Sequence, residues 1–328
     1  MSKKLTWVIG LFVVIALVAS LGITSCKEKV VAKAEPPLVG FGMYFYQDQW
    51  WKDMKSAAEA KAAEVGIVLN VADGNGDAAK QVGQLEAFIG MGAKGIIYAP
   101  IEPEASQSVV AEAKQKGIPV INIESAINDR TNISCWVQLD QFDGGYQLGK
   151  LAGKFINDNY GGTGKALLLV DYSNSVLEDR LKGFKKGLAE VAPKSVIADE
   201  QDAACERATA MSVTENVLIA NPDIAVIFGG NTEMGMGAAA ALGTKGADPA
   251  KVAVYTEGWG AEFYDAMVND PAYMKAYMTG PSVPIAEKSV TIMADFLLKG
   301  TPFNEIESVV MDIITKDNID KFKMSYFQ

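Results

Sequence analysis

Leu38-Val39-Gly40-Phe41-Gly42-Met43 is followed by residues 51–65 and then by Ile67-Val68-Leu69-Asn70-Val71. In the middle stretch Met54, Ala58, Ala62 and Val65 recur at helical spacing, whereas the flanking runs are apolar without a break. A strand apolar on both faces is covered on both sides, which is the habit of a parallel sheet. Two such strands joined by a helix form a right-handed βαβ unit. That unit decides the fold.

The rhythm continues outward. Helices expected over 78–91 and 104–116 alternate with strands over 95–99 and 119–123. It restarts beyond Asp140, with helices over 144–157, 178–191, 206–220 and 234–242 and strands over 166–170, 195–197, 224–228 and 252–255. Two such series predict an α/β protein of two similar Rossmann-like lobes with parallel sheets. Its ligand cleft lies between the lobes, at the carboxyl ends of the strands.

The start of the chain sets the compartment. Lys3 and Lys4 precede an apolar run from Leu5 to Leu21, and Ile23-Thr24-Ser25-Cys26 follows. This is the pattern of a secretory signal. The small residues before the cysteine resemble the lipobox of bacterial lipoproteins, which implies removal of residues 1–25 and a lipid on Cys26. The other reading is an uncleaved anchor, since about 17 apolar residues can just span a bilayer. Both place the rest outside the cytoplasmic membrane. Residues 26–37, ending in KVVAKAEPP, read as a tether.

Composition excludes several functions. The chain carries 30 basic and 40 acidic residues, and two of the lysines belong to the leader. So acidic a surface argues against nucleic acid and against peripheral binding to anionic lipid. There is no histidine, which removes the commonest general base, the commonest zinc ligand and every Ser-His or Cys-His pair. No cofactor or metal is expected. Besides Cys26 there are Cys135 and Cys205; the fold reading puts them in different lobes, as two free, mostly buried thiols.

Tyr44-Phe45-Tyr46-Gln47-Asp48-Gln49-Trp50-Trp51 follows the first strand. So many aromatics suit a solvated loop poorly. An indole face covers the C–H face of a sugar ring, and a carboxylate accepts from its hydroxyls. At least one tryptophan should anchor the following helix instead, because adjacent helical residues point about 100° apart.

The chain here resembles the periplasmic sugar-binding proteins of ABC transporters, of the ribose, galactose and xylose type. The resemblance rests on Tyr44, Tyr46, Asp48 and Trp50, and on Gly117-Ile118-Pro119-Val120-Ile121. Asp179-Arg180-Leu181-Lys182-Gly183-Phe184, Asn221-Pro222-Asp223-Ile224 and the run from Asn231 to Ala239 extend it over roughly residues 38 to 315. It implies a type I periplasmic binding fold with an N-lobe of 38–139 plus 281–309 and a C-lobe of 140–280 plus 310–328. The three-segment hinge would lie near Leu139-Asp140, Gly280-Pro281 and Val309-Val310. It further implies that Asp48 and Trp50 contact the ligand, with Arg180 as the sugar-binding arginine and Asn231 as the sugar-binding asparagine. Physically, Arg180 brings up to five donors, and Asn231 both donates and accepts. The same residues have plainer uses, a surface salt bridge for Arg180 in the first turn of its helix and a helix cap for Asn231.

Departures from the family concern ligand identity. Glu124 and Glu257 stand where aspartate is usual, Ser125 where a basic residue is common, and Cys205 at the position of a second-lobe stacking aromatic. The late amide of the family is missing near Thr279-Gly280, while Trp136, Tyr172, Asn174 and Trp259 lie close enough in sequence to compensate. With Tyr44, Asp48, Trp50, Glu124, Arg180, Asn231 and Glu257 as site residues, the cleft is acidic. A sugar, a polyol or a cationic solute fits that charge.

Asp73-Gly74-Asn75-Gly76-Asp77 opens like a calcium loop, but Ala78 and Gln84 replace the turn glycine and the bidentate glutamate. The combined reading is a monomeric, lipid-anchored binding protein, not an enzyme, that feeds an ABC permease. Its rivals are a sensory receptor, a binder of nucleosides or cations, and a glycosidase using paired carboxylates.

Overall fold

The structure is a computed structural model describing residues 35–322 except 48, 173, 259–260 and 270–271. The leader, Cys26 and most of the tether lie outside the described residues. In chain order the elements are β1 (Leu38–Met43), α1 (Gln49–Val65), β2 (Val68–Asp73), α2 (Ala78–Gly90), β3 (Gly95–Tyr98), α3 (Gln107–Gln115), β4 (Val120–Ile123) and β5 (Cys135–Leu139). There follow α4 (Gln141–Tyr160), β6 (Lys165–Val170), α5 (Ser175–Val191), β7 (Val196–Asp202), α6 (Arg207–Ala220), β8 (Ile224–Gly229), α7 (Thr232–Lys245), β9 (Ala253–Glu257), α8 (Ala261–Asn269) and β10 (Met274–Thr279). The chain closes with α9 (Ser282–Lys299), β11 (Ile306–Val309) and β12 (Asp312–Thr315).

These strands form two six-stranded sheets, ordered β11-β5-β4-β3-β1-β2 and β12-β10-β9-β8-β6-β7. All pairings are parallel except that of β12 with β10. Two α/β lobes result, as expected. β8 is buried along its whole length, which is why its sequence is apolar without alternation. Helix starts follow side-chain caps: the carboxylates of Asp77 and Asp140 and the amide oxygen of Asn174 each accept from a backbone N–H of the first turn.

In the second lobe α4 and α5 lie unusually close. A Cβ on Gly145 would sit 2.1 Å from the carbonyl oxygen of Arg180, and one on Gly149 2.1 Å from that of Phe184. Only glycine permits this approach. It also brings the start of α4 against Arg180.

The chain passes between the sheets three times, after β5, between β10 and α9, and between β11 and β12. The three crossings touch. The backbone N–H of Asp140 donates to the carbonyl of Val309 at 2.8 Å, and the Leu139 side chain fills the space where Gly280 lacks a Cβ.

Several elements differ from the sequence reading. β7 was expected over three residues and runs for seven, because Asp199 and Glu200 sit on a half-exposed edge strand where charge is tolerated. β5, α8, β10, α9, β11 and β12 were not read as elements. In β5, Trp136 and Gln138 occupy the less buried face and break the apolar run.

Candidate ligand-binding cleft

A cleft of about 1120 Å³ opens at the carboxyl ends of the strands and is lined by residues of both lobes. Trp50, Glu124, Arg180 and Glu257, all singled out from sequence, line it together. Tyr44 and Asn231 do not, and Asp48 and Trp259 lie outside the described residues.

The aromatic stretch after β1 packs largely on itself. Trp50 is 6% and Trp51 5% exposed. Their rings meet edge to face at 4.8 Å, and Trp51 stacks on Tyr44 at 6.2 Å. Trp50 Nε1 donates to the carbonyl oxygen of Gly280 at 2.8 Å, so the indole is tied to a crossing as well as to the core.

Glu124 follows β4 in the left-handed backbone region, at φ +62°. Two bonds hold it there: its N–H donates to the Val137 carbonyl at 2.9 Å, and its own carbonyl accepts from Trp136 Nε1 at 2.9 Å. A glutamate in this conformation costs roughly 1–2 kcal/mol. The cost presents an exposed carboxylate at the rim of the cleft. The Arg130 guanidinium lies 5.2 Å from the centre of the Trp136 ring, and both residues line the cleft.

Arg180 rises from the second turn of α5, which begins three residues earlier than the sequence suggested because Asn174 supplies the cap. Its side chain is 11% exposed. Nε donates to Gln141 Oε1 at 2.7 Å, and Nη1 donates to the Gly230 carbonyl at 2.8 Å. Nη1 also lies 3.9 Å from Glu257 Oε2. Burial pulls the guanidinium below its ordinary pKa, and the Glu257 carboxylate opposes this. Nη2 donates to no described residue. A buried cation with spare donors is prepared for an acceptor from the cleft.

Glu257 ends β9, is 18% exposed, and accepts from the Thr232 hydroxyl at 3.1 Å. Asn231 caps α7: its Oδ1 accepts from the Met234 N–H at 2.9 Å, and its Nδ2 donates to the Cys205 carbonyl at 3.4 Å. Cys205 has φ +57°, and burial pushes its thiol up to about 11. Cys135 and Cys205 are free, in different lobes. Tyr172 is 63% exposed and bonds Glu200, and Asn174 caps α5, so neither lines the cleft.

Charge in the cleft is uneven. Glu124, Asp140, Asp179 and Glu257 line it together with two arginines, Arg130 and Arg180. Sequence reasoning did not name Arg130, Asp140, Asp179 or Gln141 as site residues, although it placed Asp140 at the hinge and Asp179 in a matching motif; the position of Asp140 and Gln141 directly after a strand was the available signal. The arrangement offers both donors and acceptors to a ligand rich in hydroxyls. Among the described residues no helix is long and apolar enough to cross a membrane.

The periplasmic binding protein domain family matches residues 39–301. The ribose import binding protein of Haemophilus influenzae is 33% identical over 190 residues, which cover 58% of this chain and 63% of that protein. The ribose import binding protein of Escherichia coli is 28% identical over 264 residues, covering 80% and 85%. Among solved structures, an XylFII–LytSN complex mutant superposes with a TM-score of 0.75 at 20% identity, covering 87% of this chain and 99% of that one; this likeness is one of fold. The match to the family spans most of the chain and both lobes, and the chain belongs to the periplasmic binding proteins.

Proposed function

We propose that this protein captures a sugar or polyol between its lobes and hands it to an ABC importer, acting as a monomer outside the cytoplasmic membrane and held there by lipid on Cys26. The observation that carries the reading is Arg180: buried, fixed on two sides through Nε and Nη1, and lining a cleft to which the other lobe contributes Glu124. A hydroxyl-rich ligand can accept from the guanidinium and donate to Glu257 and Glu124 at once. Such a ligand contacts both lobes only when they approach. It therefore stabilises the closed arrangement by its differential contacts, and the permease would recognise the closed pair. The ribose import binding proteins among the relatives support import of a sugar. The paired glutamates serve recognition, and no catalytic role is assigned to them.

A thermal-shift panel of sugars, polyols, nucleosides and cationic solutes tests this. A ligand at about 100 times its dissociation constant adds about 2.7 kcal/mol, a shift of a few degrees. A shift confined to a sugar or polyol supports the reading, and shifts confined to nucleosides or cations overturn it.

A further inference from the structure

Gln141 is the first residue of α4, directly after the crossing at Leu139 and Asp140. Its Oε1 accepts from Arg180 Nε at 2.7 Å, and the two side chains line the same cleft. The contact is built in from both sides. Asp140 caps α4 by accepting from the Asp143 N–H and donates its own N–H to Val309, which fixes the helix start against a second crossing. Gly145, one turn further on, lets the backbone of Arg180 approach closely enough for the bond.

A guanidinium is planar, so fixing Nε and Nη1 fixes the direction of Nη2. The Gly230 carbonyl bonds Nη1 from one side and Gln141 bonds Nε from the other. Without Gln141 the plane can turn about the Gly230 bond and swing toward Glu257, whose Oε2 is 3.9 Å from Nη1. Arg180 would then spend its donors on a protein carboxylate.

We propose that Gln141 is a positioning residue: it aims the free edge of Arg180 into the cleft and joins that arginine to the first crossing between the lobes. The proposal rests on the ligand-capture reading for its effect on affinity, but not for its effect on the arginine itself.

Two variants test it, Gln141→Leu, which keeps bulk and loses the acceptor, and Gln141→Glu, which keeps the acceptor. Each is titrated calorimetrically with D-ribose, D-allose and myo-inositol, and the Arg180 Nε–H exchange is followed by ¹⁵N NMR. The expected result is a loss of roughly tenfold or more in affinity for Gln141→Leu, the scale of one charge-assisted bond. Gln141→Glu should stay within a few-fold of wild type. The Nε–H should exchange slowly in wild type and Gln141→Glu and fast in Gln141→Leu, and ligand-free Gln141→Leu should stay folded while melting a few degrees lower, because a buried donor loses its partner. Unchanged Nε–H protection in Gln141→Leu overturns the proposal. So does an affinity loss shared by both variants. If the wild type takes none of the three ligands, the capture reading loses support, and the Nε–H exchange alone still decides whether Gln141 holds Arg180.

Discussion

The indole N–H of Trp50 donates to the carbonyl oxygen of Gly280 at 2.8 Å, joining residues 230 positions apart. It links the first helix of one lobe to the second crossing. The resemblance gives Trp50 a ligand contact, and on that reading its truncation would weaken binding and spare the melting temperature. Burial at 6% exposure changes that expectation. Trp50→Phe leaves the Gly280 carbonyl without this donor and should cost about 1–3 kcal/mol. Trp50→Ala should cost about 3–5 kcal/mol. Urea denaturation of the ligand-free protein measures both, and equal stability of all three proteins would contradict the tie.

Gly145 and Gly243 both lie inside helices, yet they should respond oppositely. A Cβ at Gly145 meets a backbone oxygen at 2.1 Å, whereas at Gly243 the nearest atom is 4.0 Å away. Gly145→Ala should push α4 from α5 and cost a few kcal/mol, as overpacking does. Gly243→Ala should be neutral or stabilising by up to about 1 kcal/mol. Thermal melts by circular dichroism distinguish the two.

Glu124 carries a cost for its position. Replacing it by glycine removes the left-handed strain and should raise stability by about 1 kcal/mol. The same change deletes the carboxylate and should weaken the ligand. Paired melting and titration experiments check this, and a variant weaker in both respects would show that the carboxylate supports the fold.

The two thiols should be inert. Burial, the largest cause in each case, raises Cys135 and Cys205 to about 11. The reactive thiolate is the deprotonated form, so its share at pH 8 is of order 0.1%. Native protein should resist iodoacetamide at pH 8 and react at both cysteines once unfolded in urea. Fast native labelling would place a thiol at the surface.

Much of this was legible because buried parallel strands announce themselves. β1, β3, β6 and β8 are apolar runs with no competing pattern, and the structure places all four within a residue or two of the reading. β7 hides because an edge strand tolerates Asp199 and Glu200. At the cleft, Arg180, Glu124, Glu257 and Trp50 came from the resemblance to the sugar-binding family, with residue type in support. Their partners did not: the bond from Arg180 to Gln141 spans 39 residues and that from Trp50 to Gly280 spans 230. Such pairings depend on how two helices and three crossings meet, and neither spacing nor hydropathy encodes that. Asn231 had two uses in sequence, and the structure shows it capping α7.

The central claim is that a hydroxyl-rich ligand is held in the cleft through Arg180. Isothermal titration of the protein and of Arg180→Met with the sugar or polyol that raises the melting temperature tests it most directly. The account predicts one site per chain in the wild type and a loss of a hundredfold or so in the variant, about 3 kcal/mol for hydrogen bonds to a charged group. Equal affinity in the folded variant would contradict it.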